Sequence, residues 1–251
     1  MHKTSFSKST SKWIMMSALA MLVFGALPTN VIADDAPPVC TERGTDSLGA
    51  AALSNRVWKG KKVLKVQFID GSEFLKKQVR NYAQVWTSYA NIRFEFVEQG
   101  PSDIRISFIK DGSSWSYIGT SARNVDADEE TMHFGWFDES TGEDKFRRTI
   151  LHEFGHALGL IHEHQSPGAS INWNKPVVYQ YYKDKFNWNK NVVDDNIFLK
   201  YGSSRTQYTT YDPDSIMHYS IPAAFTLDNQ NVDWNTNLSQ MDKEFIKKLY
   251  P

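Results

Sequence analysis

His152-Glu153-Phe154-Gly155-His156-Ala157-Leu158-Gly159-Leu160-Ile161-His162-Glu163 carries the strongest chemical signal in the chain. Its pattern is H-E-x-x-H-x-x-G-x-x-H-E. On an α-helix, residues four apart lie on one face, one turn above each other. His152 and His156 can therefore aim two imidazoles at one metal ion. Glu153 is rotated by about 100° from His152 and reaches the open side of such an ion, where a metal-bound water sits. Gly159 supplies a residue able to take a positive φ, which ends the helix and turns the chain. The turn returns His162 as a third nitrogen ligand. Three neutral nitrogens leave a coordination position open, as in a catalytic zinc centre rather than a closed structural one. A bare H-E-x-x-H arises by chance on amphipathic helices, whereas the added glycine and third histidine make the signal specific.

This extended pattern resembles that of the metzincin metalloproteases. Glu163, directly after the third histidine, makes it look like the astacin family in particular. Downstream, Ser215-Ile216-Met217-His218-Tyr219 resembles the astacin Met-turn, S-x-M-H-Y. The resemblance implies that Met217 forms an apolar floor beneath the histidines, a role that suits an adaptable thioether. It also implies that Tyr219 is a movable further metal ligand, able to swing away and donate its proton to a developing oxyanion. Ser114-Trp115-Ser116-Tyr117-Ile118-Gly119 is similar to an astacin W-S-Y-x-G segment, expected to be structural. Trp58-Lys59-Gly60-Lys61-Lys62-Val63 matches the W-x-G-x-x-V found near the start of astacin catalytic domains.

The fold so implied is α+β. An N-terminal lobe holds a twisted, mostly parallel sheet and two long helices. A loop-rich C-terminal lobe ends in a terminal helix, and the active-site cleft lies between the lobes. The implied cofactor is one zinc ion per chain, held by His152, His156, His162 and Tyr219. The implied activity is that of a zinc metalloendopeptidase. Glu153 would take the proton of the zinc-bound water and later protonate the leaving amine. Protein or peptide substrates would bind in extended form, adding as a strand to a sheet edge. The strand expected at that edge contains Thr131 to Phe137. The alternative is a catalytically silent zinc-dependent binding protein or toxin using the same fold. Glu153 and Tyr219 argue against it, since binding alone needs neither. Astacins often carry an arginine- and aspartate-bearing segment after the third histidine; Gln165-Ser166-Pro167-Gly168 stands here instead, so specificity does not carry over.

Composition sets the outer bounds. Of 251 residues, 41% are hydrophobic and 14% aromatic, which suits a packed globular protein. Lys and Arg (28) nearly balance Asp and Glu (29), so nothing favours nucleic acid or an anionic membrane as partner. A monomer is expected. Cys40 is the single cysteine, which excludes an intrachain disulfide; core packing and the metal must provide the stability.

Residues 1–33 read as a secretory signal peptide. Lys3, Lys8 and Lys12 precede an apolar run from Ile14 to Leu27, too short for a typical membrane span. Val31-Ile32-Ala33 offers small residues for cleavage after Ala33, so the product is expected to be secreted. An uncleaved anchor is the other reading. Residues 34–50 are polar, without periodic pattern, and read as a short pro-segment. Cys40 lies in it. A thiolate is an excellent zinc ligand, so Cys40 is a candidate latency switch resembling that of matrix metalloproteases. The bland reading is a free cysteine in a disordered tail. Maturation is expected near Leu48 to Ala51, leaving 51–251 as the catalytic domain. In astacins the freed N-terminus lies near the glutamate that follows the third histidine, here Glu163. A solvated helix-exit carboxylate is the competing reading.

Val63 to Ile69 alternates as a strand does. Ser72 is a plausible N-cap for a helix with Leu75, Val79, Tyr82, Trp86 and Tyr89 on one face. Ile92-Phe94-Phe96 and Ile104-Ile106-Phe108 predict two more strands. Phe146, Ile150, Phe154 and Leu158 mark the core face of the metal-binding helix. A helix is expected after Pro176, with long loops around it. Ser239 and Asp242 predict a capping box opening a last helix. His133 is expected at the rim without a ligand role, and His164 and His218 as supporting residues.

Overall fold

The computed structural model describes residues 40–43, 56–203 and 207–251. The expected signal peptide and the maturation region near residues 48–51 lie outside these. The elements in chain order are β1 (Cys40–Arg43), β2 (Val63–Phe68), α1 (Glu73–Thr87), β3 (Arg93–Val97), β4 (Ile104–Ser107), β5 (Ser114–Tyr117) and β6 (Met132–Phe134). There follow α2 (Glu143–Ala157), α3 (Lys175–Phe186), α4 (Lys190–Val193) and α5 (Gln240–Leu249).

The strands form one sheet in the order β1-β5-β6-β4-β2-β3. β3, β2, β4 and β6 run parallel to one another, and β5 is antiparallel to β6. Parallel neighbours cannot be joined by a tight turn; α1 supplies the crossover from β2 to β3. Leu64 and Val66 of β2 and Ile104 and Ile106 of β4 are fully buried. The fold is α+β with a mostly parallel sheet, as the sequence implied. Both long helices are present and pack against each other. Ser72 caps α1 by accepting from the Leu75 N–H. On that helix Leu75, Val79, Ala83 and Trp86 are buried, while Tyr89 is exposed, so its apolar stripe ends one turn earlier than expected. No helix among the described residues is long and apolar enough to cross a membrane.

Three expectations are corrected. First, Met132–Phe134 is not the sheet edge. It lies between β4 and β5, with all three residues buried. β5, expected to be merely structural, covers it and is itself flanked by β1 on that side. Second, part of the stretch expected to be a pro-segment forms a strand: Cys40–Arg43 pairs in parallel with Ser114–Tyr117. Pairing at an open edge satisfies main-chain groups whatever the side-chain pattern, so no periodicity signalled it. Third, the region after α3 is less loop-like than expected. α4 runs into a π-helical turn at Asp194–Phe198. A second apolar cluster, including Val178, Tyr182, Val193, Ile197 and Phe225, packs this part.

α5 opens with the expected capping box. Ser239 Oγ accepts from the Asp242 N–H at 2.9 Å, and Asp242 Oδ2 accepts from the Ser239 N–H at 2.9 Å. Ser239→Ala is expected to lower stability by about 1 kcal/mol, the usual cost of a lost N-cap. Denaturant unfolding checks this, and an unchanged midpoint would contradict it.

Candidate active site

The site is built on α2. Its core face is the expected one: Phe146, Ile150, Phe154 and Leu158 are all buried, each contributing about 1.5–3 kcal/mol by burial. Phe94 of β3 meets Phe154 edge-on, with centroids 4.9 Å apart. The helix end is closed in detail. Gly159 has φ 96°; the Gly159 N–H donates to the His156 carbonyl at 2.7 Å and the Leu160 N–H to the Gly155 carbonyl at 3.0 Å. This is a Schellman motif, which requires a residue free to enter the left-handed region. The remaining carbonyls are taken by side chains. Trp58 Nε1 donates to Ala157 at 2.8 Å, and Tyr250 Oη to Leu158 at 2.8 Å.

The three histidines of the motif converge. The Nε2 atoms of His152 and His162 each lie 3.2 Å from His156 Nε2. All three side chains are buried, and together they form a group able to hold a metal ion. The tautomers follow from the other ring nitrogens. His152 Nδ1 faces the Ile216 carbonyl at 2.9 Å, and His156 Nδ1 faces the Leu160 carbonyl at 2.9 Å. Carbonyl oxygens only accept, so both Nδ1 atoms carry the proton. His162 Nδ1 faces Gln165 Oε1 at 3.4 Å, and Gln165 is oriented by donating through Nε2 to the Asp195 carbonyl at 2.9 Å. Three Nε2 lone pairs therefore point into one small buried space. Burial also holds the rings neutral: His152 and His162 are pushed well below the usual histidine range, and His156 down to about 4. Facing lone pairs repel unless a cation lies among them, and neutral imidazole nitrogen suits zinc. The residues present fit the ion the sequence implied.

The Met-turn packs against this helix. Met217 is buried, and its sulfur approaches the α2 backbone at Gly155, between His152 and His156. A Cβ at Gly155 would stand 2.4 Å from that sulfur and 3.2 Å from Trp86 Cζ2, so glycine permits the approach. The Tyr219 ring lies 4.3 Å from the His162 ring, between centroids. Its hydroxyl donates to the Cys40 carbonyl. Cys40 is itself buried, and its sulfur clusters with His152 and a Glu153 carboxylate oxygen within 4.8 Å. Burial, followed by the charge of Glu153, pushes the Cys40 thiol up. Cys40, Glu153, His152 and Tyr219 are thus brought together, and Cys40 is not in a solvated tail.

Glu163 points elsewhere. Its Oε1 accepts from the Asp212 N–H at 3.0 Å. With Leu160, Met217, Met241 and Asp242 it lines a separate pocket. Burial, reinforced by Asp242 and Asp212 against the Asp212 hydrogen bond, raises its carboxyl to about 8. A solvated carboxylate is not what the structure shows. His133 is not at the rim either: it is buried, stacked 5.5 Å from Trp115, with Nε2 3.1 Å from an Asp111 oxygen. The His164 ring lies tilted against that of Tyr219, with centroids 4.5 Å apart, and His218 Nε2 meets Tyr211 Oη at 2.8 Å. Gln165 and the Ile216 and Leu160 carbonyls, which set the imidazoles, were not found by sequence reasoning. Backbone acceptors leave no residue signature, and Gln165 showed only as a departure from a familiar pattern.

A buried three-nitrogen centre on an H-E-x-x-H helix, in a mostly parallel α+β fold, defines a metzincin-type metallopeptidase fold. The sequence model of the astacin peptidase family matches residues 51–250, and the chain belongs to that family. The structure of myroilysin superimposes with a TM-score of 0.78 at 47% sequence identity, over 81% of this chain and 98% of that one. Among curated relatives, protein SpAN of Strongylocentrotus purpuratus is 27% identical over 190 residues, 68% of this chain and 28% of that protein. Zinc metalloproteinase nas-38 of Caenorhabditis elegans is 27% identical over 158 residues, 61% of this chain and 18% of that protein. The chain therefore spans under a third of the length of these curated relatives. Zinc is the metal this family implies.

Gly155→Ala tests the packing beneath the histidines. Alanine gains about 1 kcal/mol in helix propensity, while the clash with Met217 costs about 1–3 kcal/mol. The expected result is a small net loss of stability together with weaker zinc binding in chelator competition. Unaltered zinc affinity would contradict the close fit of Met217 to α2.

Proposed function

We propose that the protein is a secreted zinc-dependent endopeptidase made as a latent precursor, with residues 1–33 a signal peptide, 34–50 a pro-segment and 51–251 the catalytic domain. The observation that carries the reading is the convergence of three Nε2 lone pairs beside Glu153 and Tyr219. His152, His156 and His162 would hold the ion, and Tyr219 would be a further, movable ligand. Bound zinc supplies Lewis-acid polarisation of the attacking water and the scissile carbonyl. Glu153 accepts the proton of the attacking water and passes it to the leaving amine. Tyr219 Oη donates a hydrogen bond to the oxyanion as it develops. A protein or peptide substrate lies extended along β5, where main-chain bonding fixes its backbone.

Latency rests on the same contacts. β1 covers β5, the Cys40 carbonyl engages Tyr219, and the Cys40 sulfur stands beside His152 and Glu153. Each is a group the reaction needs, so four ordered pro-segment residues obstruct edge, base and hydroxyl together. In this reading the Cys40 thiolate would ligate the ion. After maturation the new N-terminal ammonium enters the Glu163 pocket. Its charge would draw the Glu163 carboxyl back down and satisfy a buried anion.

Mass-spectrometric cleavage profiling of a peptide library tests the activity. The matured chain is expected to cleave, and chelation or Glu153→Ala to reduce cleavage by at least about 10²-fold while the variant retains zinc. Comparable turnover by Glu153→Ala would overturn the assignment. For latency, unprocessed Cys40→Ser is expected to cleave at least about 10-fold faster than the unprocessed parent, by the usual weight of a lost ligand contact. Equal rates would remove Cys40 from the latency mechanism.

A further inference from the structure

Arg148 precedes His152 by one turn of α2 and is buried, only 4% exposed. Its guanidinium donates to two backbone carbonyls, that of Ile216 and, at 2.6 Å, that of His218. These two carbonyls flank Met217. His152 Nδ1 faces the same Ile216 carbonyl at 2.9 Å. The other side of the Met-turn is held by an acid. The Ile216 N–H donates to Asp242 Oδ2 at 2.8 Å, and Ser215 Oγ donates to Asp242 Oδ1 at 2.7 Å. Asp242 is also the reciprocal member of the α5 capping box. The Met-turn is thereby gripped between a buried cation on α2 and a buried anion on α5.

Burying a guanidinium costs several kcal/mol even when it is well bonded, and an apolar side chain would fill the space more cheaply. A role in packing alone does not account for a charge here. The fork of the guanidinium does match two carbonyls two residues apart, which a lysine ammonium on a flexible stem does not. We infer that Arg148 is a positioning residue: it fixes the Ser215–Tyr219 turn against α2, and so aims His152 Nε2 and the Tyr219 ring at the same point. The effect on His152 runs through the shared Ile216 carbonyl. The effect on Tyr219 runs through the peptide that joins it to His218. This rests on the proposed reading of His152 and Tyr219 as site groups.

Arg148→Lys and Arg148→Met test it, each assayed in two ways. The first is zinc affinity of the full chain by chelator competition, which needs no catalysis. The second is kcat and KM of the matured enzyme on a peptide substrate. Folding is followed by near-UV circular dichroism. Loss of a partner that orients a metal ligand costs about 10–100-fold. Zinc affinity is expected to fall by at least about 10-fold in both variants. kcat is expected to fall by a similar factor, with KM changed less than about 2-fold, as for loss of an interaction that matters in the transition state. Should Arg148→Met fail to fold, Arg148→Lys, which keeps the charge, decides. A folded variant with parental zinc affinity and kcat, even at lower thermal stability, overturns the inference. A change confined to KM also overturns it. If the parent enzyme cleaves nothing, the peptidase reading has failed, and the zinc measurement still decides the role of Arg148.

Discussion

Three imidazole lone pairs directed at one buried point are the constraint on which the rest of this structure depends. With the His152 and His162 nitrogens each 3.2 Å from that of His156, such lone pairs repel. The chain holds them there by fixing each ring from behind. The acceptor behind His152 belongs to the Met-turn, the one behind His156 to the Schellman turn, and the one behind His162 to Gln165. Each belongs in turn to a feature with another purpose. Leu160 presents its carbonyl because Gly159 closes the helix. Ile216 presents its carbonyl because Asp242, an α5 capping residue, holds its N–H. Gln165 is set by the π-helical turn that follows α4. Helix end, turn and C-terminal helix thus meet at the metal centre, and removing a partner that orients a metal ligand weakens the site without touching a ligand.

The sequence was legible where chemistry is written in side chains at fixed spacing. Positions 152, 156 and 162 are paired by helix geometry, and the apolar face of α2 follows the same period. Ser72 and the Ser239–Asp242 box were legible because capping is local. What escaped depended on the backbone or on partners far along the chain. β1 pairs through main-chain groups, so its four residues need no alternation. Met132–Phe134 has the apolar character of an outer strand as much as of an inner one; only the placement of β5 makes it interior. Arg148 carries no signal of its own in the sequence, because nothing nearby marks it as buried. The burial of His133 is not legible either, because its stacking partner Trp115 lies eighteen positions upstream of it in the sequence.

In the proposed reading, the pro-segment would use the same physics as the site it covers. An open strand edge, a tyrosine hydroxyl and a carboxylate beside the three histidines all meet β1 in this structure. Four residues meet them together through strand pairing, a carbonyl and a thiol. Glu163 shows the complementary strain. A carboxyl raised to about 8 by burial is held in a pocket with two other acids nearby. Such an arrangement gains from a cation, and the freed N-terminus would bring one. Activation would then involve an electrostatic gain on one side of the Met-turn and an unblocking on the other.

The most direct measurement is X-ray absorption at the zinc edge, on the full chain and again after removal of the pro-segment. Three nitrogen scatterers at about 2.0–2.1 Å and one sulfur at about 2.3 Å are expected before removal. Afterwards the sulfur should be replaced by lighter atoms and the three nitrogens retained. A zinc environment with fewer than three imidazole nitrogens, or failure to retain stoichiometric zinc, would contradict the convergence of His152, His156 and His162 on a metal ion.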